Sequence, residues 1–159
     1  MLEIKLLLLL MVANGAPVIA WDVFKEHFAM PVDRGIRLDD GSPLLGPAKT
    51  WRGILAALIA TPLVALVIGL SWRTGIVIAL MAMSGDLFSS FCKRRLGIGS
   101  SEQALGLDQI PESLFPLLAV KKICSLDWLS IFLLTLIFLV MEITLSPTLY
   151  RLGIRKRPY

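Results

Sequence analysis

The sequence predicts an all-α integral membrane protein with about five transmembrane helices, its N-terminus outside and its C-terminus in the cytoplasm. Three observations carry that prediction. The 159 residues are 56% hydrophobic and have a mean hydropathy of +0.76, high for a soluble domain. The apolar residues are gathered into segments approaching the roughly 20 residues that cross a hydrocarbon core of about 30 Å. The cations lie between those segments. Twelve of the 16 Lys and Arg residues fall in positions 21–52, 93–95 and the C-terminal tail, which holds Arg151, Arg155, Lys156 and Arg157. With five spans those regions share one side, and the excess of cations marks it as cytoplasmic.

The first span, 2–20, is expected to be interrupted at Asn14-Gly15-Ala16-Pro17. Proline frees a carbonyl one turn back, and an asparagine in hydrocarbon needs a partner. A cleaved secretory signal is the alternative for these residues, and would leave four spans. Against it stand the acid Glu3 beside Lys5 and the proline just beyond the small-residue site. The second span covers about 53–70 and the third about 74–92. A fourth, about 110–124, is shortened and broken by Pro111 and Pro116. Such a helix is tolerated only where protein or a water-filled cavity satisfies its backbone. The fifth, 126–146, is the clearest. Trp21, Trp51, Trp72 and Trp128 all fall near span ends, as an interfacial belt requires. Residues 1–159 form a single membrane-embedded domain, with cytoplasmic loops at about 21–52 and 93–109 and no internal repeat.

Composition also excludes chemistry. His27 is the one histidine, and Cys92 and Cys124 are the two cysteines. A zinc site or a Ser-His-Asp triad has almost nothing to be built from, and no disulfide follows from the spacing. The net charge of +4 sits in loops between apolar runs. That suits anionic head groups and phosphates as partners, not nucleic acid.

The polar residues at the cytoplasmic ends are the candidates for function. In "MSGDLFSSFCKRRLGIG" Asp86 precedes Lys93 by seven residues, two helical turns, so Asp86, Ser89 or Ser90, and Lys93 share a face. A plain ion pair with Lys or Arg is one reading of Asp86. The other is a carboxylate ligand for Mg²⁺ beside a phosphate-binding cluster, Lys93-Arg94-Arg95, because Mg²⁺ takes one or two carboxylates plus substrate phosphates. The triplet alone is also an ordinary topology anchor. Asp108, in "LGLDQIPES", is either the N-cap of the next helix or a second carboxylate for the same metal. Gly97, Gly99 and Gly106 would let the backbone between them approach a phosphate. "GPAKTWRG", 46–53, lacks the G-x-x-x-x-G-K-[ST] frame of a P-loop. Even so, Lys49, Thr50 and Arg52 present donors at a helix start, where an anion is favoured. Asn14 is a further polar candidate, although ordinary helix packing is the better account of it. Asp33 and Arg34 in loop one could reach a ligand or be merely solvated, and Glu142 in the fifth span has no assignment.

The order of these pieces resembles the family of CDP-archaeol synthases, integral-membrane CTP-transferring enzymes related to phosphatidate cytidylyltransferases. The resemblance covers nearly the whole chain through "ANGAP", "PVDRG", "LLGPAKTWRG", "GDLFSSFCKRRLGI" and "GLDQIPES". The last three carry its specificity. It implies transfer of CMP from CTP to a lipid phosphate, in archaea an unsaturated diether glycerol phosphate, with release of pyrophosphate. It also implies Mg²⁺ dependence, a five-helix core and a cytoplasmic site in the cell membrane. Asp86 and Asp108 match the family's acidic positions and are expected to hold the metal, with Lys93 completing the catalytic set. Lys49, Arg52, Arg94 and Arg95 match its basic positions and are expected, with Asn14, Thr50, Ser89 and Ser90, to bind substrates. Where some family loops carry a second glycine, this chain has Arg34. Transfer to diacyl phosphatidate or another lipid phosphate is the neighbouring alternative. A small transporter or channel lined by Asn14, Asp86 and Glu142 is the alternative of another class.

Overall fold

The computed structural model describes residues 1–99, 102 and 104–151. The tail cations Arg155, Lys156 and Arg157 lie outside the described residues. The helices are α1 (Leu2–Phe24), α2 (Trp51–Val67), α3 (Trp72–Arg95), α4 (Gln109–Val120) and α5 (Trp128–Arg151). Among the described residues there is no strand. Two isolated bridges, Pro31 with Thr50 and Arg37 with Pro43, lie in the loop between α1 and α2.

Among the described residues three helical stretches are long and apolar enough to cross a membrane: α1, α3 and Trp128–Leu145 of α5. α2 has 17 residues and α4 has 12, about 26 and 18 Å at 1.5 Å per residue. The expected fourth span is therefore a short helix, and the chain leaves it through a turn that puts Ser125 at φ 51°. α4 packs on α3 and α5, so protein covers the backbone that its length could not carry through lipid. The expected break in the first span is absent, because α1 runs unbroken through Asn14 and Pro17. Asn14 donates to the Leu10 carbonyl one turn back at 3.0 Å, which satisfies its amide without opening the helix.

Small residues set how the helices cross. A Cβ on Gly75 of α3 would lie 2.5 Å from Pro62 Cα of α2, and one on Gly53 of α2 would lie 3.2 Å from Pro17 Cβ of α1. On Gly85 of α3 it would meet the backbone of α4, 2.5 Å from the Pro111 carbonyl carbon and 2.8 Å from Glu112 N. Between apolar helices in lipid, close backbone approach of this kind supplies the packing that the hydrophobic effect does not. α3 contacts α1, α2 and α4, and the core buries Leu6, Leu10, Ala57, Ile78, Leu117 and Phe138. Side-chain bridges between the two long loops and α3 bring the end of α1, the start of α2, the end of α3 and the start of α4 to one end of the bundle.

Candidate active site

α3 carries its polar residues to that shared end, and they pair across elements. Asp86 is 2.5 Å from Lys49 Nζ of loop one, and Lys93 Nζ is 2.7 Å from Asp108 Oδ1 before α4. The ion-pair reading of Asp86 is thus realised, with a loop lysine as partner. Burial alone would lower the Lys49 pKa, but the Asp86 carboxylate, with Glu112 and Asp108 nearby, outweighs it and holds the ammonium above its ordinary value. Lys49 is accordingly a fixed positive charge among three acids.

Asp108 occupies the N-cap position of α4 without making a side-chain cap. Its Oδ2 accepts the Ala104 N–H at 3.0 Å, while Gln109 Oε1 takes the Gly106 N–H at 2.9 Å. The capping reading of Asp108 gives way to the pair with Lys93.

Glu112 is the member that sequence reasoning passed over. It lies within side-chain hydrogen-bonding reach of Asp86 and feels the Lys49 charge. The reason is Gly85: with no Cβ there, the α4 backbone docks beside Asp86 and presents Glu112 to it. The signal was the glutamate of "DQIPES", but spacing along one chain does not say where two helices cross.

The remaining cations divide by partner. Lys93 also donates to the Glu102 carbonyl at 3.0 Å, and Arg94 donates to the Gly99 carbonyl at 2.9 Å. Arg94 is 7% exposed, its Nε has no hydrogen-bond partner, and it joins no ion pair among the described residues. A buried guanidinium without a counter-charge is costly unless an anion meets it. Arg95 bonds Asp40 at 3.1 Å, Ser42 Oγ at 2.7 Å and the Pro43 carbonyl at 2.9 Å. Arg52 donates to the carbonyls of Lys25, at 2.9 Å, and His27, and lies over the Trp21 ring. These two arginines clasp loop one to the helix ends.

The small polar candidates are used in helix construction. Thr50 caps α2, its Oγ1 accepting the Gly53 N–H at 3.3 Å. Ser89 donates to the Gly85 carbonyl at 2.9 Å, and both Ser89 and Ser90 are buried. Asn14 bonds within its own helix, as above. Loop one is organised by Asp33, which accepts the N–H groups of Gly35 at 3.0 Å and of Leu45 and Gly46 at 2.9 Å.

Among the described residues no three acidic, histidine or cysteine side chains form a ready-made metal cage. The arrangement is instead an alternation: carboxylates at 86, 108 and 112, and cations at 49, 93 and 94. It can bind a polyanion together with a hard cation.

The family model described as CarS-like, CDP-archaeol synthase, matches residues 2–159. A CDP-archaeol synthase of Hyperthermus butylicus is 36% identical over 104 residues, 62% of this chain and 59% of that one. A CDP-archaeol synthase of Sulfurisphaera tokodaii is 34% identical over 155 residues, 93% of this chain and 84% of that one. A solved intramembrane enzyme of archaeal membrane lipid biosynthesis shares the fold at a TM-score of 0.74 and 33% identity, covering 90% of this chain and 91% of its own. With the family model matched over almost its full length, the chain belongs to the CDP-archaeol synthase family.

Proposed function

We propose that this chain transfers CMP from CTP to an isoprenoid diether glycerol phosphate, giving a CDP-archaeol-type lipid and pyrophosphate. One observation carries the reading. A single end of a membrane-embedded bundle collects three acidic side chains and three cations, and one of those cations, Arg94, is buried with no counter-anion among the described residues. Family membership supports the choice of substrates, since the relatives named above are CDP-archaeol synthases.

The mechanism follows from charge. A lipid phosphate monoester is ionised near neutral pH, so its oxygen attacks the α-phosphorus of CTP and pyrophosphate leaves without a protein nucleophile. Catalysis is then positioning and neutralisation. Arg94 and Lys93, with Arg95 at the rim, bind the triphosphate. Lys49 and Arg52 receive the lipid phosphate or the departing pyrophosphate. Thr50 and Ser89 hold the ends of α2 and α3 behind these groups, with Ser90 buried beside them, and Pro17 shapes the face of α1 that meets α2.

The donor set fits Mg²⁺. It is all carboxylate oxygen, and Mg²⁺ keeps several waters and completes its shell with phosphate, so one or two acids suffice. Asp86 and Asp108 would hold it, with Glu112 adjoining Asp86. When bound it would neutralise the developing phosphate charge as a Lewis acid. The site end faces the cytoplasm, where CTP is available, and the bundle lies in the cell membrane with the N-terminus outside, α4 being held between its neighbours and not spanning lipid by itself.

The test is a CTP assay with purified protein and a panel of ether and ester lipid phosphates, scored for CDP-lipid and pyrophosphate. Diether acceptors are expected to exceed diacyl ones. Asp86→Asn should lower turnover at least about 100-fold, as loss of a preorganised charge in a site does, while the protein stays folded in detergent. Absence of product with every acceptor would defeat the transferase, and solute flux in liposomes without pyrophosphate would install the transporter instead.

A further inference from the structure

The two acids assigned to the metal are already paired, each with a different lysine. Lys49 reaches Asp86 from loop one, and Lys93 reaches Asp108 from the end of α3. Both pairs are partly shielded, with side-chain exposures of 23% and 21% in the first and 9% and 18% in the second. At Asp108 both oxygens are engaged, Oδ1 by Lys93 and Oδ2 by the Ala104 N–H, and at Asp86 Lys49 holds Oδ1. A divalent cation on either carboxylate would stand within a few ångströms of a like-charged ammonium group, which favours release of the lysine, and the freed lysine stays within its tether of the metal.

From this geometry we infer that Lys49 and Lys93 are exchangeable counter-ions: a divalent cation takes Asp86 and Asp108 by displacing them, and the displaced ammonium groups pass to the phosphates that arrive with it. This rests on the proposed site and adds an order to it. The cation alone has to compete with two lysines and leaves them unpaired. Cation and nucleotide together leave every charge with a partner, because the polyphosphate accepts both lysines and meets Arg94 as well. The lysines thus disfavour metal binding in the absence of nucleotide and favour joint loading.

Mn²⁺ binding to the detergent-solubilised full chain, followed by electron paramagnetic resonance without nucleotide, tests the competition directly. Lys49→Met and Lys93→Met should each bind Mn²⁺ alone at least about tenfold more tightly than the parent, as expected when a contacting like charge is removed from a partly screened site. Asp86→Asn added to Lys49→Met should remove the gain. Lys5→Met, at the far end of the bundle, should leave affinity unchanged. Equal or weaker Mn²⁺ binding in the two lysine variants would overturn the inference. A measurement on the unaltered chain covers the case in which the variants do not fold. Saturating Mn²⁺ should raise the amine reactivity of Lys49 and Lys93 read by mass spectrometry, and unchanged reactivity overturns the exchange. Product formation is scored separately. CDP-lipid made by a chain whose lysines do not compete removes this inference and leaves the transferase, whereas competition without CDP-lipid does the reverse.

Discussion

Asp33 is 4% exposed and accepts three backbone N–H groups, from Gly35, Leu45 and Gly46. It closes loop one on itself, so the two sequence readings, ligand contact or solvated loop, both give way to an internal anchor. The neighbouring Arg34 takes φ 50°, a conformation glycine adopts without strain, which explains why a glycine is at home at that point of the loop. Burial works against the Asp33 carboxylate, but the three N–H donations outweigh it and hold its pKa below the ordinary value of 3.8. A depressed folded value stabilises the loop above the unfolded pKa, and that contribution is lost as pH falls through the folded one. Asp33→Asn should therefore cost about 1–3 kcal/mol at neutral pH, the usual penalty for leaving buried donors short of an acceptor. The gap in melting temperature between parent and variant should narrow as pH drops below about 4. A gap that stays constant from pH 7 to pH 3 would remove the ionised carboxylate from this role.

At the scale of elements, the α3–α4 crossing decides the site. Gly85 sits against the Pro111 and Glu112 backbone, while Gly15 in α1 has nothing within 4 Å of an added Cβ. The two glycines give a matched pair of substitutions. Gly85→Ala must push α4 away, at a cost of about 1–3 kcal/mol for overpacking, and should carry Glu112 off Asp86 and abolish transfer. Gly15→Ala fills open space in a helix interior and should stabilise by about 0.5–1 kcal/mol with activity unchanged. Thermal melts and the CTP assay on both variants check this, and equal effects would deny the crossing its role. The same crossing marks where sequence reasoning stops. The long apolar runs of α1, α3 and α5 were legible, because hydropathy over some 20 residues is a property of the chain itself. So were Asp86, Lys93 and Asp108 as a group, through helical spacing and motif order. Glu112 was not, nor the clasp of Arg95 on Asp40 and Ser42, because both depend on contacts between segments far apart in sequence. The break expected at Asn14 and Pro17 failed for a related reason: a single carbonyl one turn back satisfies the asparagine.

Viewed as a whole, the molecule has two chemically different ends. One gathers loop one, the cations of α3 and the acids of α4. The other carries Arg73 over Trp72, 5.7 Å from the ring centroid, and Lys121 over Trp128 at 4.1 Å. Those pairs suit an interface, where an aromatic ring and a cation both find partners. The proposed orientation puts the cation-rich site end inside, in line with the positive-inside rule. The orientation can be read from two exposed positions at opposite ends, Asp39 in loop one and Lys122 after α4. In a background with Cys92 and Cys124 replaced by alanine, Lys122→Cys should react with a membrane-impermeant maleimide on intact cells. Asp39→Cys should react only after the cells are opened. Asp39 is a suitable reporter because it sits beside Asp40, the partner of Arg95, and so follows the loop that covers the site. Labelling of Asp39→Cys on intact cells would turn the bundle over and place the lysine–carboxylate cluster on the side where CTP is not made. The nucleotide would then have no access to Arg94, and the transferase reading would fall with the topology.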